Sequence, residues 1–340
     1  MIVDLRSDTV TRPTPEMYQA MQTAELGDDV LGDDPTVTKL EQTAAQRVGM
    51  EAGVFVPSGT MGNQIAIATH TKPGDSILVE EDAHVIYYEV GAPGVLASVV
   101  TRGIRSENGV MSPAEIERKI LPDSIHHPPT SLLCLENTNN RSGGTVIPIE
   151  MHAAYQSIAS QYGLKIHLDG ARVFNAAVAM GVEASEICKH VDSVCFCLSK
   201  GLASPVGSVL CGTAEFIERA RKWRKRLGGG MRQAGVLAAC GLVSLEAMVE
   251  RLAEDHAAAN ALAQDLAGLP GLSPSEPVTN ILMIATEKPA LEWQTELENV
   301  GVRCIAMDRH RLRLVFHKDV TEEGRLFAVT QFRKLAVAFA

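Results

Sequence analysis

Short apolar runs alternate with amphipathic helical stretches through the middle of the chain. Runs such as Ser76–Glu80 and Ser193–Leu198 are apolar at successive positions rather than at every second one, which is typical of strands buried on both faces. Turn residues such as Pro57-Ser58-Gly59 separate these runs from the helices that follow. This repeated order of strand, helix and strand predicts a mostly parallel sheet covered on both faces by helices.

The apolar runs and the helical stretches between them define the predicted elements of this sheet. The predicted strands are Val54–Val56, Ser76–Glu80, Ser131–Glu136, Leu164–Asp169, Ser193–Leu198 and Val206–Cys211. The predicted helices among them are Thr60–His70 and Glu150–Tyr162. We therefore predict an α/β fold.

The pattern changes after Gly230. An Ala- and Leu-rich stretch over 231–266 predicts a long helix, interrupted near Glu246 and ended by Pro270 and Pro274. Predicted strands at 281–285 and 312–316 and predicted helices at 290–300 and 322–339 follow. This mixture predicts a large domain over 1–250 and a small α+β domain over 251–340.

Composition and charge exclude several classes of protein. The chain has 340 residues, of which 46% are hydrophobic, and a net charge of −10 at pH 7. An acidic chain has no broad electrostatic footprint for nucleic acid or an anionic membrane. The N-terminus brings Asp4 and Arg6 too early for a signal peptide, and no apolar run approaches the ~20 residues of a membrane span. Seven scattered cysteines predict a reducing cytoplasm rather than a disulfide framework.

Two of the cysteines, Cys195 and Cys197, lie two positions apart. A metal site would need further ligands at suitable spacing, and the sequence offers none nearby. Alternate residues of a strand share one face, so we predict two buried thiols and no metal.

Ligands of a parallel sheet bind outside the carboxyl ends of its strands, so the polar residues at those ends carry most information. Gly59 and Thr60 open a helix directly after a strand. Such a turn offers backbone amides to a phosphate, although glycine there also serves a tight turn. Asp169 ends another strand and could cap a helix or pair with a pyridinium nitrogen.

Lys200 follows the next predicted strand, where a lysine is either solvated or placed to form a Schiff base. Each of these residues alone is a weak signal. A phosphate turn, then an aspartate, then a lysine at successive strand ends together predict a site for pyridoxal 5′-phosphate (PLP).

Ordered motifs along almost the whole chain resemble those of one family. They are Asp4–Pro13, Gly27–Val30 with Gly32–Thr36, Leu135–Thr138, Asp169–Arg172, Leu198–Gly201, Pro205–Ser208 and Gly228–Gln233. The chain resembles the low-specificity L-threonine aldolases, which are PLP enzymes of the aspartate-aminotransferase-like fold (fold type I). The resemblance implies a mostly parallel seven-stranded sheet, a segment 1–35 that contributes to the site and the dimer, and a homotetramer built from dimers.

The resemblance also implies roles for individual residues. Lys200 would hold PLP covalently, Asp169 would face the pyridine nitrogen, and His84 would stack on the ring. The remaining residues implied to bind ligands are Gly59 and Thr60 for the phosphate, Ser7, Arg172 and Arg313 for the substrate carboxylate with Arg172 also near the cofactor, and Lys225 and Arg232 for the phosphate of a neighbouring subunit. Within the basic run Arg221–Arg226, a solvated helix face and a nucleic-acid patch are the alternatives.

The chain departs from the family pattern at two positions. Asn139 stands where family members often have histidine, and Leu31 stands where an aromatic residue is common. Asparagine can bond a substrate hydroxyl but cannot act as a base near pH 7. Both changes alter the expected substrate pocket and leave the cofactor residues intact.

The reaction that the resemblance implies is reversible cleavage of the Cα–Cβ bond of L-threonine, L-allo-threonine and related β-hydroxy-α-amino acids. The products are glycine and an aldehyde, with His84 or a water as base. One alternative is another fold type I lyase that performs β-elimination or transamination. A further alternative is a catalytically silent binding protein, since one fold hosts many functions.

Overall fold

The computed structural model describes residues 1–339. Within them, the strands are β1 Val3–Asp4, β2 Ala52–Val56, β3 Ser76–Glu80, β4 Val100–Ile104, β5 Ser106–Glu107, β6 Val110–Met111, β7 Thr130–Glu136, β8 Lys165–Asp169, β9 Ser193–Cys197, β10 Ser208–Gly212, β11 Leu272–Pro274, β12 Ile281–Thr286, β13 Val302–Arg303, β14 Ile305–Asp308 and β15 Arg311–Val315.

The α-helices of the same residues are α1 Pro15–Thr23, α2 Pro35–Arg47, α3 Gly59–His70, α4 His84–Tyr87, α5 Pro113–Lys119, α6 Ile149–Tyr162, α7 Val173–Met180, α8 Ala184–Cys188, α9 Ala214–Arg226, α10 Gly235–Val243, α11 Leu252–Leu266, α12 Ala290–Asn299 and α13 Glu322–Phe339. A 3₁₀ turn at Asp8–Val10 and π-helical turns at Pro93–Ala97 and Ser244–Met248 complete them.

The central sheet has seven strands in the order β2-β10-β9-β8-β7-β3-β4. Strands β9, β8, β7, β3 and β4 pair in parallel, and only β10 runs antiparallel to its two neighbours. The predicted α/β fold with a mostly parallel seven-stranded sheet is confirmed. The inner strands β3 and β9 are buried at every position, because helices cover both faces.

A four-stranded antiparallel sheet, β11-β12-β15-β14, forms a second layer with α11, α12 and α13. Its own apolar cluster is centred on Trp293, Phe316 and Phe332, and is separate from the cluster under the large sheet. Val3 and Leu5 belong to this second cluster, and β1 pairs in parallel with β13. The start of the chain therefore packs against its C-terminal part, while a domain boundary at residue 250 stays a prediction.

The helix predicted over 231–266 is divided. Helix α10 ends at Val243, a π-helical turn follows, and α11 begins at Leu252. The interruption lies where the buried Ser244 hydroxyl bonds the carbonyl of Leu202 and the hydroxyl of Ser204, each at 2.7 Å. Side-chain bonds of this kind commonly accompany a break in helical regularity. Over residues 1–339, no helix combines the length and the apolar character that crossing a membrane requires.

Candidate active site

One cavity of about 360 Å³ opens where β7, β8 and β9 end. It gathers most of the residues that the sequence predicts for the site. The predicted residues that line it are Ser7, Gly59, Thr60, His84, Asp169, Arg172, Lys200 and Arg313. These residues come from six separate parts of the chain, so only the fold brings them together.

The N-terminus of α3 forms one wall. Ser58 caps the helix by accepting the amide of Met61 at 3.2 Å, so the amides of Gly59 and Thr60 at the first two helical positions point to the cavity side of the helix end. A Cβ at residue 59 would lie 2.9 Å from Cys197 Sγ, so glycine lets the helix approach β9 closely. The hydroxyl of Ser208 beside this turn is buried and has no partner among the described residues. These features make a cradle suited to a phosphate.

Lys200 follows β9 in a tight turn. The amide of Ala203 bonds the carbonyl of Lys200, and the amide of Leu198 bonds the carbonyl of Gly207. Gly207 has a φ of +106°, and a side chain there would overlap the ring of Phe55. Another residue at position 207 would therefore disturb the turn that places Lys200 at the end of β9. Cys195 and Cys197 on β9 are buried, unbridged thiols, as predicted.

Asp169 is buried at the end of β8 with a fixed carboxylate. Its Oδ1 accepts the amide of Ala171 at 3.1 Å, and its Oδ2 accepts the side-chain amide of Asn63 at 2.8 Å. Both oxygens keep a further lone pair, so the carboxylate can accept one more donor from the cavity. A pyridinium N–H is a donor of that kind.

His84 lies at the start of α4, with its ring anchored from behind. Its Nδ1 lies 2.9 Å from Oε1 of the buried Glu89. Burial alone would lower the pKa of His84, but the bond to Glu89 and the charges of Asp169 and Glu89 outweigh it and raise this pKa. Nδ1 is thus the donor to Glu89, and Nε2 is left for a ligand.

Glu136 lines the cavity below His84. Its two oxygens accept the backbone amides of His84 at 2.6 Å and Asn140 at 2.9 Å. Burial, reinforced by the charge of Asp169, raises the pKa of Glu136 to about 7. One carboxyl therefore ties together two segments of the cavity wall.

The two arginines of the cavity are held differently. Arg172 gives Nε and Nη2 to the buried carboxylate of Asp8, each at 2.7 Å. Burial would raise the pKa of Asp8, but the Arg172 charge and bonds outweigh it and lower it to about 2. Arg313 bonds Asn140 through Nη1 at 2.9 Å, and its buried Nε has no partner among the described residues. Arg313 thus lines the cavity with one donor, the buried Nε, still unpartnered among the described residues.

Comparison with known proteins identifies the family. The sequence model of a family described as Beta-eliminating lyase matches residues 4–289. The chain belongs to this family. A protein of Arabidopsis thaliana described as probable low-specificity L-threonine aldolase 2 is 43% identical over 343 residues, covering 98% of this chain and 97% of that protein. The low-specificity L-threonine aldolase of Escherichia coli K12 is 42% identical over 326 residues, covering 95% and 96%.

Solved structures agree on the fold. The threonine aldolase of Leishmania major superposes with a TM-score of 0.84 at 20% identity, covering 98% of this chain and 99% of that one. At this identity the likeness establishes the fold alone. The resemblance to the low-specificity L-threonine aldolases, which the motifs predict, is confirmed by the sequence relatives, and the chain is a lyase of that family.

Asn139 does not line the cavity in this family member. Its side chain accepts the amide of Ser142 at 2.9 Å and donates to Glu80 at 3.4 Å, and it packs against Gly109. The next residue, Asn140, lines the cavity instead and bridges the two arginines. The structure thus places Asn140, and not the predicted Asn139, on the cavity lining, and which residue of this segment contacts the substrate stays a prediction.

Lys225 and Arg232 also lie outside this cavity. Lys225 lines a second cavity of about 580 Å³ between α9 and the loop at Val30–Gly32. Arg232 is exposed and pairs with Asp28 at 3.0 Å. In the basic run, Arg224 is buried against Asp29 at 3.0 Å, so the run is not simply a solvated face. The predicted contact of Lys225 and Arg232 with a neighbouring subunit stays a prediction.

Several polar residues of the site were absent from the sequence-based prediction. They are Asp8, Asn63, Glu89, Glu136 and Asn140. Asp8 and Glu136 stand inside motifs that carry the family resemblance, so the signal existed for them. Asn63 and Glu89 lie in a helix and in a loop beyond α4, where a polar residue gives no local sign of burial.

Proposed function

We propose that the chain is a PLP-dependent aldolase that cleaves L-threonine, L-allo-threonine and other β-hydroxy-α-amino acids to glycine and an aldehyde. The observation that carries the proposal is one cavity lined by Lys200, Asp169 and the start of α3 in a chain whose relatives bear this name over nearly their whole length. Members of the family are PLP-dependent enzymes.

The residues of the cavity fit PLP. The start of α3 and the unpartnered Ser208 hydroxyl suit its phosphate, and the remaining lone pairs of Asp169 suit its pyridine nitrogen. Lys200 makes no ion pair among the described residues, which leaves its amine available for a covalent bond to the aldehyde carbon. When bound, PLP draws electrons from the bonds at the Cα atom of an attached amino acid.

The arginine side of the cavity orients the substrate. Arg313 has an unpartnered Nε, and Arg172 is fixed by Asp8, so the carboxylate of an amino acid meets one guanidinium with a spare donor and one held by an ion pair. A carboxylate held this way fixes which bond of Cα is perpendicular to the cofactor plane. Ser7 lines the same side and can add one hydroxyl donor.

His84 is our candidate for moving the proton of the β-hydroxyl. Glu89 fixes the ring through Nδ1, so Nε2 is the atom that accepts the proton once the imidazole is neutral. The raised pKa of His84 requires a pH high enough to keep that atom free. Tyr88, whose ring lies 5.3 Å from that of His84, helps to close the cavity from water.

The test is aldehyde release. Purified protein saturated with PLP is incubated separately with L-threonine and L-allo-threonine, and aldehyde is followed with a coupled alcohol dehydrogenase. We expect release from at least one substrate, and none from Lys200→Ala, because that variant has no amine to hold the cofactor. The ratio of the two rates measures the preference at Cβ.

Lys165→Ala is the matched control, since Lys165 is an exposed lysine on β8 that lies outside the cavity and pairs with Asp192. It should keep the activity of the unmodified protein. Cofactor bound without any aldehyde from either amino acid would contradict the proposal.

The second candidate is β-elimination, which the name of the matched family favours. It would give a keto acid and ammonia instead of glycine and an aldehyde. Incubation with L-serine and detection of pyruvate by lactate dehydrogenase separates the two reactions.

We also propose a homo-oligomer built from dimers in which Lys225 and Arg232 complete the phosphate site of a neighbouring subunit. Arg232 is exposed and both residues lie away from the chain's own cavity, which supports this arrangement. Seven unbridged cysteines support a cytoplasmic location. Sedimentation of the protein, and loss of PLP affinity in Arg232→Ala, test the assembly.

A further inference from the structure

A buried hydrogen-bonded chain runs from Asp169 and Asn63, on the cavity lining, into the interior of the protein. Asn63, on the second turn of α3, stands at its centre and is 2% exposed. Its Nδ2 lies 2.8 Å from Oδ2 of Asp169 and 2.9 Å from Oε1 of Glu89. Glu89 in turn holds His84. One amide group therefore joins the carboxylate that would face the pyridine nitrogen to the Glu89–His84 pair.

The orientation of the Asn63 amide follows from its partners. Carboxylates only accept, so both hydrogens of Nδ2 are used by Asp169 and Glu89. The oxygen of the amide then faces Nε2 of His167, at 3.1 Å. An amide turned the other way would place its oxygen against two carboxylates and its hydrogens against the ring.

His167 continues the chain away from the site. Burial lowers the pKa of His167 to about 4 and that of His70 to about 3, so both rings are neutral at pH 7. Because Nε2 of His167 donates to Asn63, its Nδ1 must accept from the Ser193 hydroxyl at 2.9 Å. Ser193 then accepts from Nε2 of His70 at 2.8 Å. Every donor points toward Asp169, and each proton in the chain has one position.

We propose that Asn63, oriented by His167, is a positioning residue that locks Asp169 and the Glu89–His84 pair into one unit around the cofactor ring. The inference rests on the proposed function, because it concerns how the chain holds PLP. Without the amide, the carboxylates of Glu89 and Asp169, whose nearest oxygens lie within 4.8 Å of each other, would repel with no donor between them. The Asp169 carboxylate would then be held only by the amide of Ala171.

The first experiment compares two neighbouring amides of α3. Asn63→Leu removes the donors to both carboxylates. Gln64→Met removes a donor to Glu89 alone, because Gln64 Nε2 bonds Glu89 at 2.5 Å and does not contact Asp169. Both side chains are buried, so the losses of packing are similar. We measure the Kd for PLP by titration, together with the visible absorbance of bound cofactor as a function of pH.

We expect Asn63→Leu to bind PLP about tenfold more weakly, the equivalent of one charge-assisted hydrogen bond. The pH midpoint of its visible band should also shift, because the carboxylate facing the ring is no longer fixed. Gln64→Met should stay within about twofold of the unmodified protein and keep the midpoint. Equal losses in the two variants, or none in Asn63→Leu, would overturn the inference.

Position 167 gives an independent test if Asn63→Leu does not fold. His167→Gln can place an amide donor at the height of Nε2, whereas His167→Leu cannot bond Asn63 at all. The glutamine variant should restore most of the PLP affinity and the midpoint that the leucine variant loses. Equal behaviour of the two would contradict the inference. A wild-type chain that binds no PLP would overturn the proposed function and the inference together, whereas normal PLP binding in every variant would overturn the inference alone.

Discussion

At the scale of single residues, the two arginines of the cavity share Asn140 as a neighbour but are held differently. Asn140 bonds both guanidinium groups, at 3.4 Å for Arg172 and 2.9 Å for Arg313. Arg172 donates two hydrogen bonds to Asp8, while the Nε of Arg313 has no acceptor among the described residues. The structure thus separates an arginine held by a buried ion pair from one that has no ion pair with Asp8 and keeps an unpartnered donor.

Substitution should reveal this difference. Arg313→Lys loses the fork that binds a carboxylate, so we expect the KM for the amino acid to rise about tenfold with little change in the free energy of unfolding. Arg172→Ala leaves Asp8 charged and buried without its ion-pair partner, which should lower the free energy of unfolding by about 3 kcal/mol. Steady-state kinetics and urea denaturation measure the two effects. A similar loss of stability in both variants would show that the separation is wrong.

At the scale of elements, one carboxylate connects three of them. Asp34 caps α2 by accepting the amides of Thr36 and Val37, and its other oxygen accepts the amides of Gly27 and Gly235. It therefore fixes the start of α2, the loop before it and the start of α10 together. By comparison, Thr14 caps α1 through a single bond, to the amide of Met17 at 3.3 Å.

These two caps provide a matched pair. Thr14→Ala should lower the free energy of unfolding by about 1 kcal/mol, as expected for an ordinary N-cap. Asp34→Ala also leaves the amides of Gly27 and Gly235 without acceptors, so we expect a loss of about 3 kcal/mol. Urea denaturation at neutral pH measures both. Equal losses would mean that Asp34 acts as a cap and nothing more.

The elements that the sequence predicts best are those with uninterrupted apolar runs. Ser76–Glu80 was predicted with its observed bounds, and the strand ending at Asp169 within one residue. The edge strand β4 was missed because Arg102 and Gly103 break its apolar pattern, which an edge position tolerates. In the site, Asp169 and Lys200 were predictable because ligands of a parallel sheet bind at the carboxyl ends of its strands, where both residues stand. Asn63 was not, since its partners are distant in the sequence.

At the scale of the whole molecule, buried histidines couple the fold to pH. His152 and His256 resemble His167 in that burial lowers the pKa of each to about 4, and burial lowers the pKa of His70 to about 3. Between pH 6.5 and 4 the unfolded chain binds these protons and the folded chain does not, so stability falls as the pH falls. Glu136 has the opposite effect: its pKa is raised to about 7, so over most of this range the folded chain holds one proton that the unfolded chain does not.

We therefore expect the free energy of unfolding to fall between pH 6 and 5 by about 4 kcal/mol per pH unit, which corresponds to a net uptake of about three protons. Urea denaturation at several pH values measures this slope. His152→Gln should reduce it by about one proton. A slope that is flat, or that has the opposite sign, would show that the buried histidines are protonated in the folded chain.

The pairing of β1 with β13 has a consequence for how the chain is made. Val3 leaves the ribosome about 300 residues before Val302, its partner in the sheet. At about 5–20 residues per second, that interval is roughly 15–60 s. During that time β1 has no partner strand, and Asp8, four residues after it, lacks its bond to Asn280. The cavity of the nascent chain therefore stays unfinished until β15 supplies Arg313.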